Sequence, residues 1–241
     1  MRYVYSARPI LFNYFRCKGV NLIELTIAMA IGAIILLGIT SVYSSSKKAN
    51  TVQNGLSRVQ ESGRFVLEFL TRDIRMAGYP QGAGPLAFNN ATTNEGAAAN
   101  SDQITLQYNQ PTPLTADCNG NLVDPIINKY DIQLNANNVP GLFCNDIELI
   151  EGIDNLQILY GMDSDNIPDG IANTYVNADD VATQWARIVS VRIAVLANSV
   201  RETSNMRTRS AYTLLGTNVN GFNDNRNRRV FNATIMLRNN I

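Results

Sequence analysis

The chain has 241 residues, 45% of them hydrophobic, with 20 basic and 20 acidic side chains and no histidine. That length holds one ordinary globular domain of about 100 to 200 residues beside a membrane segment. Without histidine there is no Ser-His-Asp or Cys-His nucleophile, no His-ligated zinc and no histidine general base.

The zero net charge conceals an asymmetry. Arg2, Arg8, Arg16 and Lys18 make residues 1–19 basic with no acid among them, so the remainder of the chain is acidic. By the positive-inside rule this leader holds the N-terminus in the cytoplasm and sends the rest outward, against the weaker pull of Lys47 and Lys48. An acidic outer domain gives no general case for direct nucleic-acid binding.

A secretory signal peptide fits the start poorly, since its apolar region runs to about 7 to 15 residues and ends at a small-x-small site. Here the apolar run continues without a break into a helical pattern. From Leu25 to Tyr43 no side chain is charged. At about 1.5 Å of rise per residue that run covers roughly the hydrocarbon thickness of a bilayer. Residues 20–43 are therefore read as the transmembrane half of an N-terminal helix, with Glu24 as its one acid. A carboxylate within a bilayer costs roughly 2.5 to 3.5 kcal/mol on insertion scales, less near the interface, so Glu24 is expected to have a partner.

Residues 44–78 read as an amphipathic continuation of the same helix. Val52, Leu56, Val59, Val66, Leu70, Ile74 and Ala77 recur at helical spacing, with Phe65 and Phe69 broadening the stripe, while Arg58, Glu61, Arg64, Glu68, Arg72 and Asp73 are assigned to other faces. Gly78-Tyr79-Pro80 should end it. Gly82 to Asp102 reads as a long surface loop. Strands are expected at Gln103–Tyr108, Tyr130–Leu134, Asp146–Ile150, Asn155–Tyr160, Ala186–Ala197 and Arg229–Leu237, with Ile188, Val191, Ile193 and Val195 in a well-covered central strand. The Asn- and Gly-dense stretch from Gly216 to Arg229 reads as a mobile loop. The fold class is α+β, with residues 79–241 forming an antiparallel β-sheet domain packed on the outer half of the helix.

Cys17 lies in the leader. Cys118 and Cys144 lie in the outward part, where an oxidising compartment allows a disulfide worth about 3 kcal/mol in the chain-entropy model; the alternative is two separate buried thiols. Asp163-Ser164-Asp165-Asn166-Ile167-Pro168-Asp169-Gly170 reads either as an acidic calcium loop, with Asp163, Asp165 and Asp169 as ligands, or as an Asx-rich turn between strands. Ile167-Pro168 intrude where an EF-hand-type loop would place a ligand.

The basic leader, Gly19, Val20 and Glu24 five residues after that glycine, followed by an unbroken apolar helix, resemble the class III signal of type IV pilins. Beyond it, Leu22-Ile23-Glu24-Leu25-Thr26-Ile27-Ala28-Met29-Ala30, Leu56-Ser57-Arg58-Val59-Gln60-Glu61-Ser62-Gly63-Arg64-Phe65 and Arg72-Asp73-Ile74-Arg75-Met76-Ala77-Gly78-Tyr79 resemble the PilW family of minor pilins. The resemblance extends through Tyr160-Gly161, Val191-Arg192-Ile193 and Leu237-Arg238-Asn239. It implies a pilin-like fold and a structural, non-enzymatic protein. A prepilin peptidase would remove residues 1–19 and methylate the amine of Val20. That amine lies one helical turn from Glu24, so the acid can pair with its own amine or a neighbour's. Partners implied are other minor and major pilins and a large tip adhesin, in a pilus serving twitching motility, cell adhesion or DNA uptake. The chain would pass from inner membrane and periplasm to the fibre at the cell surface. The nearest rival is a minor pseudopilin of a type II secretion system. A membrane-anchored periplasmic enzyme or binding domain is a rival of another class, for which the sequence offers no nucleophile or phosphate loop. No cofactor is expected apart from the calcium reading.

Overall fold

The computed structural model describes residues 19, 21–96, 100–203 and 211–239. The chain divides into two compact units, Met1–Lys47 and Lys48–Ile241. Helix α1, Leu22–Met76, begins in the first and ends in the second. Then follow strands β1 (Ile104–Tyr108), β2 (Ile126–Leu134), β3 (Pro140–Cys144), β4 (Ile147–Glu151), β5 (Ile153–Met162) and β6 (Thr174–Val176). The short helix α2 (Ala178–Val181) and a 3-10 turn (Trp185–Arg187) lead into β7 (Ile188–Asn198), the hairpin β8 (Tyr212–Leu214) and β9 (Thr217–Val219), and β10 (Arg228–Met236).

In the first unit, every large apolar side chain from Leu22 to Tyr43 is more than half exposed. The helix there has a mean hydropathy of 2.5 over 18 residues and is long and apolar enough to cross a membrane. Among the described residues of the unit nothing covers that surface, and lipid or other helices are the surroundings that would bury it.

In the second unit α1 buries Gly55, Val59, Gly63, Val66, Leu70, Asp73 and Ile74. This stripe differs from the expected one. Leu56 and Phe65 are exposed at 42% and 43%, whereas the two glycines and Asp73 face inward. The glycines mark close approach: a Cβ on Gly63 would sit 2.3 Å from the Phe231 ring of β10. The helix ends at Met76, two residues before Gly78, whose φ of 78° supplies the left-handed residue that closes helices. Asn239 Nδ2 donates to the carbonyls of Arg75, Met76 and Ala77 at 3.2, 3.3 and 3.3 Å, satisfying helix acceptors that have no partner in the helix itself.

The single expected sheet is instead two four-stranded antiparallel sheets, β1-β2-β3-β4 and β10-β7-β5-β6, with β8-β9 as a separate hairpin. The six expected strands are present with shifted ends, and β7 is the buried central strand. Four were missed. Strand β3 is masked by Pro140 and Gly141, which read as turn residues; Pro140 is its first residue, where a missing N–H costs no ladder bond. Asn145 and Asp146, both at positive φ, make the two-residue turn into β4. β6, β8 and β9 have three residues each, too short for a period-two pattern to register.

Two expected loops also differ. In 82–102, Phe88 bridges to Leu106 and Asn94 to Gln103, and Ala87, Phe88 and Thr93 are buried. In 216–229, β9 is ordered, and Arg228 donates to Asp154 at 2.7 Å and to both oxygens of Asp224 at 2.5 and 2.7 Å, with its guanidinium 3.7 Å from the Phe222 ring. A loop of small polar residues is held here by one buried cation.

Gly161 shows why a motif glycine is needed. Its Cβ would lie 2.1 Å from Ser190 Oγ, 2.8 Å from Tyr175 Cε1 and 2.9 Å from Ala172 Cβ, three side chains of different segments. Gly161→Ala is expected to lower stability by about 1 to 3 kcal/mol through overpacking. A fall in the urea midpoint at unchanged m-value would show it, and an unshifted midpoint would refute the close approach.

Candidate functional site

The residues expected to carry processing and assembly lie at the start of α1. Val20 and the leader residues 1–18 lie outside the described residues. Gly19 is exposed and has no atom within 4 Å of where a Cβ would sit. The first helical hydrogen bond runs from Leu25 N–H to Asn21 C=O at 3.1 Å, which places Glu24 in the first turn of α1. A carboxylate there meets the positive end of the helix macrodipole as well as any nearby amine.

The second cluster joins α1 to the first sheet. Cys118 and Cys144 form a disulfide with a Cα–Cα distance of 5.8 Å, tying the segment before β2 to the end of β3. Cys118 N–H donates to Asn128 Oδ1 at 3.1 Å, and Asn128 Nδ2 donates to Asp73 Oδ2 at 2.8 Å. Tyr130 Oη donates to the same carboxylate oxygen at 2.5 Å and lies 3.9 Å from Cys118 Sγ. Asp73 is 2% exposed, against the expectation that it occupies an outer helix face. Burial and the Asp73 charge push the Tyr130 hydroxyl well above the ordinary tyrosine range. Asp73 sits three residues after Leu70 and four before Ala77, so helical spacing placed it on the stripe; its charge disguised it.

The Asp163 loop is brought together as a cluster. Ligand-capable oxygens of Asp163, Asp165 and Asp169 all lie within 4.8 Å of one another. Asp163 Oδ2 accepts from the N–H groups of Asp169 and Gly170, each at 2.9 Å, and Oδ1 from that of Asp165 at 3.2 Å. These backbone donors, Gly170 first, hold the Asp163 carboxyl below the usual aspartate range. Asp163 thus organises the turn, and Asn173, accepting from Ser164 N–H at 2.7 Å, closes it. Three carboxylates supply part of the six to eight oxygens that calcium takes, and the backbone bonds to Asp163 are those of an Asx turn.

Comparison with known proteins bears on the sheet domain. Residues 129–239 match the family model described as Type IV Pilus-assembly protein W, PilW. The resemblance read from sequence is borne out over that stretch, which contains Tyr160-Gly161, Val191-Arg192-Ile193 and Leu237-Arg238-Asn239. The PilW match begins after Cys118 and includes Cys144, so the disulfide pins a preceding segment to PilW-like sheet. Among solved structures, a type IV-like pilin from Thermus thermophilus is similar at 11% identity with a TM-score of 0.46, covering 76% of this chain and 96% of that one. No curated protein sequence matches the chain.

Proposed function

We propose that the chain is a PilW-type minor pilin, a structural component of a type IV pilus that primes assembly with other minor pilins and enters the fibre at or near its tip. The observation that carries this reading is the pairing of a PilW-matched sheet domain with an N-terminal helix whose apolar side chains are all exposed within its own unit. Such a helix needs a bilayer before assembly and other helices after it. In this reading the N-terminus is cytoplasmic and the sheet domain periplasmic, a prepilin peptidase cuts after Gly19, and Glu24 pairs with an amine freed at Val20. The pairing offsets the carboxylate's cost as helices leave lipid. The work is done by packing, and no catalytic step or cofactor is assigned.

One experiment with two variants tests it. Gly19→Asp is expected to leave full-length precursor in the membrane. Glu24→Ala is expected to be cleaved and folded yet absent from sheared pili. An unchanged mature mass in the first variant, or normal incorporation in the second, would overturn the proposal. Crosslinking of the mature wild-type chain to pilus subunits, rather than to secretion-system pseudopilins, separates it from its nearest rival.

A further inference from the structure

Beside the Asp73 anchor the surface of the second unit opens into a cleft of about 290 Å³, near the lower end of the range for ligand pockets. Phe69 and Met76 of α1 and Pro111 from the segment after β1 give it apolar walls. The wall at 111–118 is held by the disulfide and by the bond from Cys118 N–H to Asn128 Oδ1. Among the polar residues that line it, Asp73 and Tyr108 are buried, at 2% and 3% exposure, whereas the Arg72 side chain is 67% exposed. The cleft therefore runs from an open, charged mouth to a buried polar end.

Two oxygens at that buried end lack donors. Asp73 Oδ2 accepts from Tyr130 and Asn128, but Oδ1 faces Arg72 Nε at 3.5 Å, longer than a good hydrogen bond. The Arg72 guanidinium lies 4.7 Å from the Phe69 ring, and an ion pair made by so exposed a side chain is worth little. The Tyr108 hydroxyl has no hydrogen-bond partner among the described residues; burial first, and the Asp73 charge second, push it up to about 12. Buried oxygens left without donors are costly. Two carboxylates, Asp73 and Asp117, outnumber Arg72 among the residues lining the cleft, so it is negative as a whole.

A ligand that suits this place brings donors, a positive charge and an apolar stem. A bare metal ion fits poorly, because hard cations want six or more oxygens and these walls are largely apolar. A guanidinium is on hand in Arg72, and it rests over the Phe69 ring instead of entering. An ammonium is a more compact charge, with three donors on a flexible methylene stem.

We propose that the cleft is a binding site for a primary alkylammonium group, which donates to Asp73 Oδ1 and Tyr108 Oη while its stem lies along Phe69, Met76 and Pro111. The site needs neither processing nor assembly, so its test stands apart from that of the pilus reading.

Saturation-transfer NMR of n-butylammonium on the full chain in nanodiscs, with empty nanodiscs subtracted, reads the binding. A dissociation constant of about 1 mM is expected, and n-butanol, the same stem without the charge, should bind at least about tenfold more weakly. Tyr108→Phe keeps the ring and removes one acceptor; it should weaken butylammonium about tenfold and leave butanol unchanged. Should that variant fail to fold, Asp117→Asn carries the test, since losing one negative charge should weaken butylammonium and again spare butanol. Nα-acetyl-lysine N-methylamide separates two sources of the ammonium. Binding as tight as that of butylammonium identifies a lysine side chain of a partner protein, and its exclusion identifies a free amine. Equal binding of butanol and butylammonium, undiminished butylammonium binding in the folded variant, or no transfer to butylammonium at tens of millimolar would overturn the proposal.

Discussion

Asp73→Ala is expected to destabilise the second unit by about 4 kcal/mol, because it leaves two buried donors, Tyr130 Oη and Asn128 Nδ2, without an acceptor at roughly 1 to 3 kcal/mol each and removes the packing of the carboxyl itself. A cleft of about 290 Å³ lined by Phe69, Asp73, Tyr108, Cys118 and Asn128 is the route by which water could reach them. Asp73→Asn should cost about half as much, since an amide still offers one acceptor oxygen. Denaturant titration of the full chain gives the number. A loss below about 1 kcal/mol for the alanine variant would mean that solvent or a rearranged side chain already satisfies these donors.

Replacing Cys118 and Cys144 together by serine is expected to cost about 3 kcal/mol, from the loop closed by a sequence separation of 26. Reduction of the wild-type protein should reproduce it. The two losses should not add. Asn128 accepts from Cys118 N–H and donates to Asp73, so releasing the disulfide also frees the residue that holds the carboxylate. A coupling of about 0.5 to 3 kcal/mol is expected from the double-mutant cycle. Simple additivity would show that the disulfide and the helix anchor act separately.

Much of the architecture was legible because it rests on periodicity. The apolar run, its amphipathic continuation and the central strand at Ile188–Asn198 follow from spacings that chain geometry imposes. What escaped was whatever those spacings do not weigh. Gly55 and Gly63 carry no hydropathy, yet they define the buried face, so the stripe drawn through Leu56 and Phe65 was turned away from its true centre. Asp73 fell on the stripe and was set aside for its charge. Its acceptors' partners lie more than fifty residues along the chain, which no local pattern contains. The Asp163 loop was readable as a cluster, but the backbone donors that engage it depend on the fold of the turn.

The cap on α1 by Asn239 bears on the order of events in the cell. A side chain more than 160 residues later shares its two amide hydrogens among three carbonyls at the end of the helix, and the strand just before that side chain lies along β7. A chain made from its N-terminus onward exhibits the helix early and delivers the closing piece last. Until that piece arrives, the helix end lacks the Asn239 amide and the Gly63 face lacks the Phe231 ring that packs on it. The last strand and Asn239 thus complete the packing of a helix made at the other end of the chain.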